Sequence, residues 1–120
     1  MHTREDIEKL AKEFQQCQKI LVALGDENRQ HMILEMMKME DCSGVRVNEI
    51  TEKTHLSRPT VSHHLQILKN AGILKMRREA TKNYYYFDPD MNSFELLIGV
   101  LQKAIHITTQ LPDRSQKDED

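Results

Sequence analysis

Tryptophan is absent from this chain of 120 residues, aromatic side chains make up 5% of it, and it has only four glycines and three prolines. No apolar run approaches the length of about eighteen residues needed to cross a bilayer. The opening Met1-His2-Thr3-Arg4-Glu5-Asp6 also lacks the apolar stretch of a secretory signal, so the chain is expected in the cytoplasm and away from membranes. Cysteine is scarce: Cys17 and Cys42 stand 25 positions apart, which builds no disulfide framework and matches no CxxC spacing, so reduced thiols are expected. A Gly-rich nucleophile elbow is missing as well. Ser57, Ser62, His63 and His64 would point apart on one helix and have no companion carboxylate, so a hydrolase is excluded and no enzyme is expected.

What is present suits one small globular domain. Hydrophobic residues are 38% and charged residues 30% of the chain, with a mean hydropathy of −0.65. A core of that size is marginal alone, and burial against a second copy would add to it. The net charge of −2 hides an uneven distribution. From Lys53 to Phe87, seven basic residues (Lys53, Arg58, Lys69, Lys75, Arg77, Arg78, Lys82) meet one acid, Glu79, whereas the remainder holds ten basic and eighteen acidic residues. Widening the window to 45–90 leaves an excess of three positive charges, so the sign holds while the size shrinks.

Apolar periodicity sets out the elements. Ile7, Leu10, Phe14, Cys17, Leu21 and Leu24 recur at steps of three and four, predicting one helix over 5–24 with Gly25 as its stop. Asp26 is placed to cap a second helix running to about residue 40, in which Met32, Met36 and Met37 are read as adaptable core packing. The loop Asp41-Cys42-Ser43-Gly44 leads to a short helix capped by Asn48 and ending near Thr54. Ser57 before Arg58-Pro59 then starts a longer helix to about Asn70, with a cap worth about 1 kcal/mol and Gly72 as its stop.

A short helix, a tight turn and a longer helix form the helix-turn-helix arrangement. On the longer helix Val61, Leu65 and Leu68 share an inward face. Pro59, Ser62, His63 and Gln66 lie opposite, flanked by Arg58 and Lys69, with Ser57 and Thr60 at its start, a surface suited to the bases and phosphates of a major groove. His64 sits at the edge of the apolar face and is expected to be semi-buried with a backbone partner. Residues 73–79 and 84–87 read as two strands around a turn at 80–83, forming a wing on which Arg77 and Lys82 are the candidates for phosphate contact. From Asn92-Ser93, a last helix carries Phe94, Leu97, Ile98, Leu101, Ala104 and Ile105, widened by Leu96 and Val100, and ends by Pro112. Too much of it is apolar for one chain to bury. A two-fold interface through Phe14, Leu21, Leu96, Leu97, Val100, Leu101 and Ile105 is expected, which would set two reading helices about 34 Å apart.

The expected fold is therefore mostly α with a small hairpin: five helices plus a wing over 1–111, and a polar, disordered tail at 112–120. In Leu21-Val22-Ala23-Leu24-Gly25-Asp26-Glu27-Asn28-Arg29, in 56–65 (Leu-Ser-Arg-Pro-Thr-Val-Ser-His-His-Leu), in 68–74 (Leu-Lys-Asn-Ala-Gly-Ile-Leu), and in Arg77-Arg78-Glu79 leading to Tyr84-Tyr85-Tyr86, the chain resembles the ArsR/SmtB-type winged-helix regulators of bacteria over about residues 20–105. The resemblance implies a homodimeric repressor that leaves double-stranded operator DNA, an imperfect palindrome, when a signal arrives. Ala80 stands where such wings commonly carry glycine.

The same resemblance directs attention to the family's sensor positions. A Cys-x-Cys pair of the third helix is replaced here by Arg46-Val47-Asn48. The last helix offers Asp88, Asp90 and a lone His106 in place of an Asp-x-His with a later His-x-x-Glu, and no cysteine follows position 42. No metal site and no cofactor are expected. Cys17 reads as a small core hydrophobe and Cys42 as the more exposed thiol; a bridge between them, or a metal joining Cys42 to His31 or His55, stays open although no spacing favours it. The alternative function is a winged-helix protein-interaction module without an operator of its own.

Overall fold

Capping side chains set most of the element boundaries in the computed structural model, which describes residues 4–39, 44–112 and 115. Among these residues the order is α1 (Arg4–Gln16), α2 (Gln18–Leu24), α3 (Glu27–Lys38), α4 (Val47–Thr54), α5 (Arg58–Asn70), β1 (Leu74–Glu79), β2 (Lys82–Phe87) and α6 (Met91–Thr109). Asp26 caps α3 by accepting from the Arg29 amide at 3.0 Å, and Ser57 caps α5 by accepting from the Thr60 amide at 3.3 Å. The cap of helix α4 lies two residues ahead of the expected Asn48. The Glu49 carboxylate accepts from the Arg46 amide at 3.0 Å and makes Arg46 the cap residue. Helix α6 likewise starts early, because the Asp90 carboxylate accepts from the Asn92 amide and the Ser93 hydroxyl. It ends at Thr109 rather than at Pro112, with the hydroxyls of Thr108 and Thr109 donating to the carbonyls of Ile105 and His106.

Six helices replace the expected five because the first is broken at Cys17. Its amide is shared between the carbonyls of Glu13 (3.3 Å) and Phe14 (3.1 Å), and residue 17 leaves helical geometry at φ −97°, ψ 2°. The break has a packing reason: α1 lies against α6, whereas α2 lies against α3 and α5. Cys17 itself is a buried, unbridged thiol whose pKa is pushed up by burial and then by the Glu13 carboxylate. Loop 41–43 with Cys42, and the expected tail apart from Pro112 and Ser115, lie outside the described residues.

Met32, Ile50, Val61, Leu65 and Leu68 are fully buried at the centre of the core, which extends through Ile20, Ala23, Met36, Leu74 and Val100. The hairpin pairs Leu74 with Phe87 through to Glu79 with Lys82, so its loop is the two residues Ala80-Thr81 rather than the expected 80–83. The tighter turn is possible because Ala80 takes the left-handed conformation at φ 55°. Val45 adds an antiparallel bridge to the hairpin, exchanging two 2.8 Å hydrogen bonds with Tyr85. The approach requires Gly44, at φ 115°, where a Cβ would stand 3.1 Å from the Tyr85 carbonyl oxygen and 3.1 Å from the Tyr84 Cβ.

The apolar face of α6 divides in two. Leu97 and Val100, expected at an interface between copies, are buried in the chain's own core, whose neighbours claim that side of the helix first. Phe14, Leu21 and Leu96 are half-buried against that core. Ile98, Leu101 and Ile105 remain 55%, 45% and 63% exposed at helical spacing, and Ile7 of α1 is exposed too. The molecule measures 61 × 33 × 23 Å with a radius of gyration of 19.1 Å, well beyond the ~14 Å of a compact chain of this length. No helix among the described residues is long and apolar enough to cross a membrane.

Gly44 and Ala80, both at positive φ, give opposite predictions for stability. Gly44→Ala should cost about 1–3 kcal/mol, from backbone strain together with the contact on Tyr85. Ala80→Gly, at an exposed turn, should be neutral or stabilise by up to about 1 kcal/mol, since relief of strain is offset by a looser unfolded chain. Urea unfolding of the two variants checks both signs, and a destabilised Ala80→Gly would mean that the tip is not strained.

Candidate nucleic-acid interface

Between α4 and α5 the chain turns in three residues. His55 closes α4 in the left-handed conformation at φ 60°, the Thr54 hydroxyl donates to the Ile50 carbonyl at 2.8 Å while accepting from the Leu56 amide at 3.3 Å, and Ser57 then caps α5. Each polar backbone group of the turn that these side chains reach is satisfied locally, which fixes the angle between the helices without a long loop.

Helix α5 has two sharply different sides. Val61, Leu65 and Leu68 have no exposed surface, whereas Pro59, Ser62, His63 and Gln66 are exposed on the opposite side, as the spacing predicts. Arg58 and Ser57 are exposed beside them, and Thr60 and Lys69 are half-buried at the flanks. Four of these residues already have partners. Arg58 Nη1 donates to Asn48 Oδ1, the Ser57 hydroxyl donates to Thr60 Oγ1 at 2.8 Å, and Gln66 Nε2 donates to Asn70 Oδ1 at 3.1 Å. The bonds are exposed and hold the side chains near one rotamer at little cost to exchange.

The position of α5 rests on a residue that the sequence reading did not single out. Arg29 of α3 is 8% exposed, and its guanidinium donates to the carbonyls of Ala23 (2.8 Å) and Val22 (3.0 Å) at the end of α2. Its Nη1 lies 3.3 Å from His64 Nδ1 on α5. A guanidinium has no acceptor, so Nδ1 accepts and the proton of the neutral imidazole sits on Nε2. His64 is 7% exposed, deeper than the expected semi-buried position, and its partner is a side chain rather than backbone. Burial, above all, pushes its pKa below the ordinary histidine value; Arg29 and His63 push the same way, while the Asp26 carboxylate opposes them. The Asp26 carboxyl is itself held low, chiefly by the Arg29 amide that it accepts from.

On the wing, Arg77 is more engaged than expected. Its guanidinium lies 4.8 Å from the centre of the Tyr84 ring and its Nε donates to Glu79 Oε1 at 2.9 Å. Strand alternation puts Glu79 on the same face as Arg77 and opposite Lys82, so an acid sits between the two expected phosphate contacts. Lys82 is exposed. Lys75 pairs with Asp88 at 2.7 Å, and this bond and charge raise its pKa. Such exposed pairs are worth little and can be exchanged for a phosphate. Among the described residues no group of three or more His, Cys, Asp or Glu side chains is gathered as a metal site would need. His106 is exposed on α6, with its Nε2 3.3 Å from Gln110 Nε2.

Known proteins share this arrangement. A model described as the bacterial regulatory protein arsR family matches residues 26–75, from the cap of α3 into β1. The chain is 39% identical over 77 residues to an uncharacterized HTH-type transcriptional regulator of Methanocaldococcus jannaschii, covering 64% of this chain and 83% of that one. It is 33% identical over 66 residues to the transcriptional repressor SdpR of Bacillus subtilis, covering 55% and 69%. The solution structure of a homodimeric winged helix-turn-helix DNA-binding domain from Mycobacterium bovis superposes with a TM-score of 0.58 at 21% identity, over 86% of this chain and 92% of that one, a likeness of fold. The helix-turn-helix pair and its wing are thus those of a winged helix-turn-helix domain, and the chain belongs to the arsR family of transcriptional regulators.

Proposed function

We propose that this transcriptional regulator binds double-stranded DNA as a homodimer, recognises an imperfectly palindromic operator, and represses until a signal releases it. The observation that carries the reading is the division of α5. Its inward side is sealed into the core while Ser62, His63 and Gln66 stand exposed in a row suited to base edges. Ser57, Arg58, Pro59, Thr60 and Lys69 would contact the flanking backbone, with Arg77 and Lys82 of the wing on phosphates. Residues 1–111 serve as one DNA-binding and dimerisation unit working in the cytoplasm, and no cofactor is assigned to it.

The uncovered Ile98, Leu101 and Ile105, together with the elongated shape, support pairing through α6 and α1. A two-fold axis there matches a palindrome, because each copy presents the same helix to one half-site. Leu97 and Val100 support that surface from beneath.

Salt dependence separates this reading from a protein-interaction module. A dimer meeting ~6–10 phosphates should lose about three to five decades of affinity between 50 and 200 mM salt. Fluorescence anisotropy on DNA from upstream of its own coding region measures the slope, and a flat curve would favour the module. On the same DNA, His63→Ala and Gln66→Ala should each cost about 1–3 kcal/mol at particular base pairs and relax sequence preference. Arg77→Ala should weaken all sequences alike; a changed preference would reverse this division of roles.

Dimerisation has its own test in sedimentation. Leu101→Glu and Ile105→Glu alter side chains exposed in the single chain, so folded monomers should result. Leu97→Glu buries a charge and should unfold the chain, at a cost of several kcal/mol. Unchanged dimers in the first two variants would move the interface elsewhere.

A further inference from the structure

We propose that His64, held neutral against the Arg29 guanidinium, is a positioning residue for the reading helix, and that its protonation releases DNA; this rests on the DNA-binding reading above. The geometry allows one protonation state. Nδ1 lies 3.3 Å from Arg29 Nη1 and can take part in that contact only as an acceptor. A second proton would turn it into a donor facing a donor and set two cations side by side where neither is more than 8% exposed. Arg29 is tied to α2 through the carbonyls of Val22 and Ala23, so it cannot swing away without breaking those bonds. The element that yields is α5. His64 immediately follows Ser62 and His63 and precedes Gln66, so movement of the helix carries the base-facing side chains with it.

The surrounding charges set the direction. Asp26, at the cap of α3, favours the protonated ring, whereas Arg29 of α3 and His63 of α5 disfavour it, and burial adds to their effect. The ionisable groups of the other elements packed on α5 face solvent: Lys19 of α2; Glu49, Glu52 and Lys53 of α4; Lys75, Arg78 and Glu79 of β1, whose Arg77 is half-buried over Tyr84. At His64 the folded state therefore binds a proton less readily than the unfolded chain. Stability is full above the ordinary histidine range and is lost as pH falls through the lower folded-state pKa of His64. DNA affinity follows the same course if the bound conformation needs the neutral ring.

The experiment is an anisotropy titration from pH 8 to 5.5 at constant ionic strength, using the full chain and a labelled duplex from upstream of its own coding region. Wild type should lose affinity by up to about a hundredfold per pH unit at the acid end, the limit for two linked protons, one on each copy of the dimer. His63→Gln should keep the loss. His64→Asn, whose Oδ1 can accept from Arg29 but does not titrate, should bind at pH 8 and lose this dependence. A loss that persists in His64→Asn, or wild-type affinity that is constant or rises on acidification, overturns the proposal. A titration of the wild-type histidine resonances by NMR needs no variant: the α5 amides should shift with the His64 ring, and a His64 that protonates without moving them also overturns it. If no DNA binds at any pH, the DNA-binding reading fails by itself. Urea unfolding then still decides the Arg29–His64 part, with stability falling below pH 6.5 in wild type and not in His64→Asn supporting it, and parallel curves refuting it.

Discussion

A buried guanidinium is costly unless its donors are matched, and Arg29 matches its own across three helices. Two bonds close the end of α2 at the carbonyls of Ala23 and Val22, the latter also accepting from the Gly25 amide, and the third reaches the imidazole of His64 on α5. Apolar packing by Val61, Leu65 and Leu68 holds α5 to the body without fixing its rotation closely, because dispersion contacts have little direction. Hydrogen bonds supply that direction. The helix proposed to read DNA is thereby referenced to α2 and α3, while Ser62, His63 and Gln66 stay exposed on its other side.

The two sides of the molecule are divided in a consistent way. Around α5 and the wing, Lys82 is exposed and three basic side chains sit in exposed pairs that phosphate can displace: Arg58 with Asn48, Lys75 with Asp88, Arg77 with Glu79. Along α6, the apolar residues outnumber the places available in one chain. Leu97 and Val100 enter the core and Ile98, Leu101 and Ile105 are left over, as a small domain that completes its burial by pairing would have it. A net charge of −2 is compatible with both, since the acidic residues lie mainly outside residues 53–87.

Much of this was legible in the residues, and what escaped has physical reasons. Period and caps located the helix-turn-helix, because Ser57 and Asp26 act on amides three residues away and Val61, Leu65 and Leu68 recur at helical steps. The split at Cys17 was hidden: α1 and α2 share one apolar stripe and diverge only because they pack on different elements. The cap of α4 fell on Arg46 because Glu49 reaches back to its amide, a signal present three residues downstream but outweighed by the asparagine at 48. The four-residue turn shrank to two because an alanine adopts a conformation usually left to glycine. Arg29 was least visible of all. A charged residue in an acidic, polar stretch reads as solvated until tertiary packing brings His64, 35 positions away, to its side.

The account depends on Arg29 holding α5 in register, and amide hydrogen exchange of Arg29→Met at pH 8, read alongside its DNA affinity, tests this most directly. Protection should fall along α5 and at the end of α2 while the amides of α1 and α6 keep theirs, and affinity should fall with it although residue 29 is buried away from the reading face. Unchanged protection in α5 together with wild-type affinity would contradict the account.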